Sequence, residues 1–126
     1  METGSMTEKR ILIVEDDFDN TALVRVLLER ENFDVLAARD GEMGLDVART
    51  AHPDLIVLDL DMPKLDGWGV LQQLKGDKKT QHIPIVVVTA HLMYDERKKV
   101  FDAGGAGYLQ KPFSISDLVA EIRRWV

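Results

Sequence analysis

Five short apolar runs recur along the chain: Ile11–Val14, Val35–Ala38, Leu55–Leu58, Ile85–Val88 and Gly107–Leu109. The first, third and fourth contain only Ile, Val and Leu. A strand with one wet face alternates apolar and polar residues, whereas one covered on both faces does not. These runs therefore predict strands of a parallel sheet with helices on both sides. The segments between them carry helical spacing. Leu23, Val26, Leu27 and Arg30 share one face of a first helix, which Asp17 is placed to cap. Met43, Leu45, Val47 and Ala48 mark a second, and Val70, Leu71 and Leu74 a third, entered after Gly67. Residues 94–103 read as a fourth, with Val100 and Phe101 apolar and Gly104-Gly105 as its stop. Ser114 starts a fifth that turns Ile115, Leu118, Val119 and Ile122 inward, with Asp117 in the capping-box position. Strands begin roughly every 20–30 residues, the size of a βαβ unit. The expected fold is an open, doubly wound α/β sheet of (βα)5 order. A closed eight-stranded barrel needs about 250 residues, and this chain has 126.

That length fits one domain. The opening "METGSM" reads as a leader with a Gly4-Ser5 cloning remnant, so residues 1–6 are set aside and 7–126 taken as the domain. The net charge of −6 disfavours direct nucleic-acid binding, which needs a basic surface. Cysteine is absent, so neither a disulfide nor a thiolate metal site is expected, and a reducing cytoplasmic setting is allowed. No apolar run approaches the ~18 residues of a membrane helix, so no membrane partner is expected.

In open α/β sheets, ligands bind beyond the carboxyl ends of the strands. Here the first strand ends in Glu15-Asp16-Asp17, the third in Asp59, the fourth in Thr89-Ala90 and the fifth in Gln110-Lys111-Pro112. Acids, a hydroxyl and an ammonium thus fall on one rim. Two unit charges ~4 Å apart repel by about 4 kcal/mol at an effective dielectric of 20. Grouping Glu15, Asp16 and Asp59 therefore requires a counter-charge. A hard divalent cation, Mg²⁺ or Mn²⁺, takes such oxygen ligands, and Lys111 supplies a second positive group. Cation, ammonium and the Thr89 hydroxyl together suit the oxygens of a phosphoryl group. Asp59, alone at the tip of the central strand, is then the candidate nucleophile.

The stretches "ILIVEDD", "DLIVLDLDMPKLDG", "PIVVVTA" and "GAGYLQKPF" occur in this order. Together they resemble the receiver domain of two-component response regulators, over residues 9–126. The resemblance implies a flavodoxin-like sheet of strand order 2-1-3-4-5. It implies that Asp59 accepts phosphate from a histidine on a sensor kinase or phosphotransfer protein. It implies that Asp16, Asp59 and the backbone carbonyl of Asp61 hold Mg²⁺, with Glu15 completing the acidic pocket. Thr89 and Lys111 would grip the phosphoryl oxygens, and Lys111-Pro112 would be a cis peptide. Tyr108 would change rotamer as Thr89 moves inward. The first helix, starting at Phe18, Asp19, Thr21 and Ala22, would dock the kinase. The signal would pass to a downstream effector or to an output domain outside this sequence. The chain would not be an enzyme beyond phosphotransfer to Asp59 and loss of that phosphate. The Asp61 side chain and His91 are candidate modulators of water access.

Blander readings stand beside these. Asp17 is more simply a helix cap, and Tyr108 alone could be a half-buried strand aromatic. His52, His82 and His91 lack metal-ligand spacing, and Trp68 and Trp125 suit packing. "VLDLD" also resembles the D-x-D motif of haloacid-dehalogenase-type phosphatases, but only Asp117 and Glu121 follow Lys111, inside a helical pattern. An EF-hand reading fails at Pro63 and Val70, where the loop needs an oxygen ligand. A receiver-like module that binds partners without phosphorylation is the remaining alternative.

Overall fold

The computed structural model describes residues 8–62, 67–90 and 96–126. Five strands and five helices alternate among them: β1 (Arg10–Val14), α1 (Phe18–Arg30), β2 (Asp34–Ala38), α2 (Gly41–Ala51), β3 (Leu55–Asp59), α3 (Gly67–Gly76), β4 (Ile85–Thr89), α4 (Glu96–Asp102), β5 (Gly107–Gln110) and α5 (Ile115–Arg123). The strands form one parallel sheet in the order β2-β1-β3-β4-β5. Each predicted run lies inside its strand, with ends shifted by at most a residue.

The lack of alternation now has its cause. Leu12, Val14, Ile56, Leu58, Ile85 and Val87 point to one face, where Leu45 and Ala48 of α2, Leu71 and Leu74 of α3 and Val100 of α4 cover them. Their neighbours Ile11, Ile13, Leu55, Val57, Val86 and Val88 point to the other face, under Leu28 of α1 and Leu118, Val119 and Ile122 of α5. Successive side chains of a strand alternate sides, so a doubly covered strand must be apolar throughout.

Three helix starts follow the capping logic. Asp17 accepts from the Asn20 amide and Asp40 from the Met43 amide. Ser114 and Asp117 form the reciprocal capping box. Helix α1 is rotated from its predicted phase. Leu28 is buried and Val24 packs beside it, whereas Leu23 and Val26 are 59% and 48% exposed. Apolar residues lie on several sides of this helix, so spacing alone permits more than one phase. Contact with the sheet and α5 selects the Val24–Leu28 pair, one helical turn apart. Among the described residues, no helix is long and apolar enough to cross a membrane.

Candidate functional site

Strand register brings the rim together. Val14 pairs with Leu58, so Glu15 and Asp59 stand side by side. Asp59 pairs with Val88, so Thr89 follows on the next strand, and the Lys111 amide donates to the Thr89 carbonyl at 2.8 Å. These joints lie between β1 and β3, where the chain reverses its direction of travel across the sheet, and along the strands beside them. Ligands of doubly wound folds bind at such switch points.

Asp59 is the last residue of β3 and only 2% exposed. Its Oδ2 lies 3.0 Å from Lys111 Nζ, and its Oδ1 accepts the Asp61 amide at 2.8 Å. Burial works against the charge of Lys111. The hydrogen bond and charge of Asp59, with the charges of Glu15 and Asp61, outweigh it and hold the ammonium above its usual range. Lys111-Pro112 is cis, as the resemblance implies.

Glu15 is buried, and its carboxylate accepts from the Asn20 side chain at 3.0 Å. Asn20 was not among the residues singled out from sequence. Its signal was its place in the first turn of the helix that follows the strand-one acids. Burial first, then the hydrogen bond and charge of Asp59, push Glu15 from 4.5 up to about 7. Glu15, buried Asp59 and exposed Asp16 each offer an oxygen, all within 4.8 Å of one another. This all-oxygen donor set, with one member pushed up by burial and by its neighbour Asp59, fits a hard divalent cation.

A pH dependence follows for the metal-free chain. A folded-state value above the unfolded one means that the native state binds the extra proton. The stabilisation is complete below 4.5 and is lost as pH rises to about 7. In EDTA, melting temperature across this window is expected to fall more steeply for the unaltered chain than for Glu15→Gln. Parallel pH profiles for the two proteins would remove the assignment.

Thr89 is fully buried at the end of β4. Its hydroxyl donates to Asp61 Oδ1 at 2.9 Å, and the Ala90 amide donates to Asp61 Oδ2 at 2.8 Å. The Asp61 side chain, a candidate modulator from the sequence, is therefore held on the rim by two donors from the end of β4. Tyr108, on β5, is half-buried against the α2–α3–α4 side of the core. Burial first, then the negative charges of Glu96 and Asp61, hold its hydroxyl above the usual phenol range. His91 lies outside the described residues. A cleft of about 650 Å³ opens from Asp16, Asp59 and Lys111 along Leu23, Val24 and Leu27 of α1 to Phe113 and Ile115.

Comparison with known proteins agrees with this geometry. Residues 11–123 match the family described as response regulator receiver domain. The chain is 41% identical over 114 residues to the DNA-binding dual master transcriptional regulator RpaA of Synechocystis sp., covering 90% of this chain and 47% of RpaA. It is 35% identical over 118 residues to the polar-differentiation response regulator DivK of Brucella ovis, covering 94% and 96%. The chain thus spans about half the length of the first relative and nearly all of the second. Among solved structures, the receiver domain of the sensor histidine kinase PA1611 from Pseudomonas aeruginosa superposes with a TM-score of 0.85 at 28% identity. That match covers 94% of this chain and 98% of the other, which holds a magnesium ion coordinated in its active site cleft. The family match takes in all five strands except Arg10 of β1, together with Glu15, Asp16 and Asp59. This chain belongs to the response regulator receiver domain family.

Proposed function

We propose that the chain accepts a phosphoryl group on Asp59 in a Mg²⁺-dependent reaction and signals the change to another protein. One observation carries the reading. A carboxylate 2% exposed lies 3.0 Å from the Lys111 ammonium, with the Glu15 and Asp16 carboxylates beside it. Such a group is held in place and charge-compensated, as an acceptor of phosphate must be.

In the proposed step an Asp59 oxygen attacks phosphorus. The bond from phosphorus to the donor atom breaks, whether that atom is a histidine nitrogen or the oxygen of acetyl phosphate. The electron pair leaves with the donor. Asp16, Asp59 and the Asp61 carbonyl would hold Mg²⁺ or Mn²⁺, with Glu15 beside them. The ion, when bound, offsets the negative charge of the acids and of the phosphoryl oxygens. Lys111 holds the attacking carboxylate before transfer and pairs with a phosphoryl oxygen after it. Thr89 donates to another, and Tyr108 responds to its position.

The donor would be a sensor histidine kinase or a histidine phosphotransfer protein. The outer face of α1 supports docking beside the cleft, with Phe18 83% exposed and Leu23 and Val26 open to solvent. The receiver would then act on a downstream effector or on an output domain of a longer protein, in a cytoplasmic setting. Acetyl phosphate with Mg²⁺ should add one phosphoryl group, seen by intact mass and suppressed by EDTA. A chain that stays unlabelled under saturating acetyl phosphate and Mg²⁺ does not have this function.

A further inference from the structure

We propose that the Asp61 carboxylate is an internal stand-in for the phosphoryl group, and that it limits how readily Asp59 is phosphorylated. The proposal rests on the phospho-acceptor reading of Asp59. Its basis is the set of donors that Asp61 occupies. One carboxylate oxygen takes the Thr89 hydroxyl at 2.9 Å. The other takes the Ala90 amide at 2.8 Å and lies 3.5 Å from Lys111 Nζ. These three groups come from the ends of two neighbouring strands and point at one anionic group beside Asp59. Lys111 ties this set of donors to the acceptor, because it touches both carboxylates.

The Asp61 backbone reinforces the arrangement. Its amide holds Asp59 Oδ1 at 2.8 Å, so residue 61 fixes the acceptor through its main chain and fills the adjoining space with its side chain. An incoming phosphoryl group needs the same donors and carries charge of the same sign. Both cannot use a single buried hydroxyl and a single amide proton. Phosphorylation therefore turns the Asp61 carboxylate out of the rim. Its side chain is 20% exposed and borders solvent. Asp61 is a positioning residue in this account. It acts through Thr89, Ala90 and Lys111 and takes no part in bond making.

Two variants separate competition from simple bracing. Asp61→Asn keeps the shape and an acceptor for the Ala90 amide but removes the charge. Asp61→Ala removes the whole group. Labelling rate is measured against acetyl phosphate concentration with Mg²⁺, and beryllofluoride affinity is measured on the same proteins. Competition predicts that both variants reach half-maximal rate at about tenfold lower donor concentration, the scale of one nearby unit charge. Both should also bind beryllofluoride about tenfold more tightly. If Asp61 merely ties two loops together, removing it scatters the donors and both quantities worsen. Unchanged or weaker values in both variants, with the unaltered chain labelled normally, overturn the inference alone. An unaltered chain that takes no label overturns the phospho-acceptor reading and this inference with it.

Discussion

Asp59→Asn is expected to take no phosphoryl label under acetyl phosphate and Mg²⁺ conditions that label the unaltered chain fully. The amide has nearly the shape of the carboxylate, and its oxygen can still accept the Asp61 amide that now bonds to Oδ1. What disappears is the anionic nucleophile and the ion pair to Lys111. A neutral amide oxygen is too weak a nucleophile to replace it. The variant should nevertheless stay folded. Asp59 is one of two main causes of the upward push on Glu15, the first being burial. Removing its charge brings Glu15 back toward 4.5 and narrows the pH window over which the metal-free chain loses stability. Intact mass measures the first effect, and melting in EDTA at several pH values measures the second. A variant that labels like the unaltered chain would move the acceptor elsewhere and sink the assignment.

Gly67→Ala should cost about 3 kcal/mol, the upper part of the range for overpacking. For a domain of this size that is about 10 °C in melting temperature. A Cβ at this position would stand 2.5 Å from Leu60 Cα, 2.7 Å from Leu60 Cδ2 and 2.9 Å from the Asp59 carbonyl oxygen. Two of those atoms are backbone. They cannot yield easily, because the Leu60 amide is bonded to the Val88 carbonyl at 2.9 Å. Strain at this point falls directly on Asp59, the proposed acceptor, so labelling should slow as well. Gly76→Ala is the control, since nothing lies within 4 Å of its added carbon. It should leave the melting temperature unchanged or slightly raised. Equal melting temperatures for the two variants would show that α3 can shift away from β3.

The contrast between these sites shows what the residue order makes legible. The strands were readable because burial on both faces removes polar residues from a run, a property of each run by itself. Glu15, Asp59 and Thr89 directly follow such runs and Lys111 comes two residues after one, which placed all four on one rim. The order of the strands is not a local property, and it came only through resemblance to receivers. The phase of α1 was misread for a related reason, since several apolar residues compete and only the packed sheet chooses among them. Asp61 shows a third limit. A side chain two residues past a strand end points wherever the turn sends it. That turn is set by the Leu60–Val88 and Asp61–Asp59 hydrogen bonds, which join parts of the rim rather than neighbouring letters. The Asn20–Glu15 contact was hidden in the same way.

The rotation of α1 also divides the labour of sequence change. Asp59 and Thr89 end strands whose every side chain is buried, so substitutions there disturb packing and the rim together. Helix α1 is anchored mainly by Leu28, with Val24 beside it, and presents Phe18, Leu23 and Val26 outward. Phe18 and Val26 can vary without touching either core or the cleft beside Asp59, which Leu23 helps to line. On the docking proposed for α1, one partner could be exchanged for another by rewriting a single helical surface, while the strands beneath it stayed as they were.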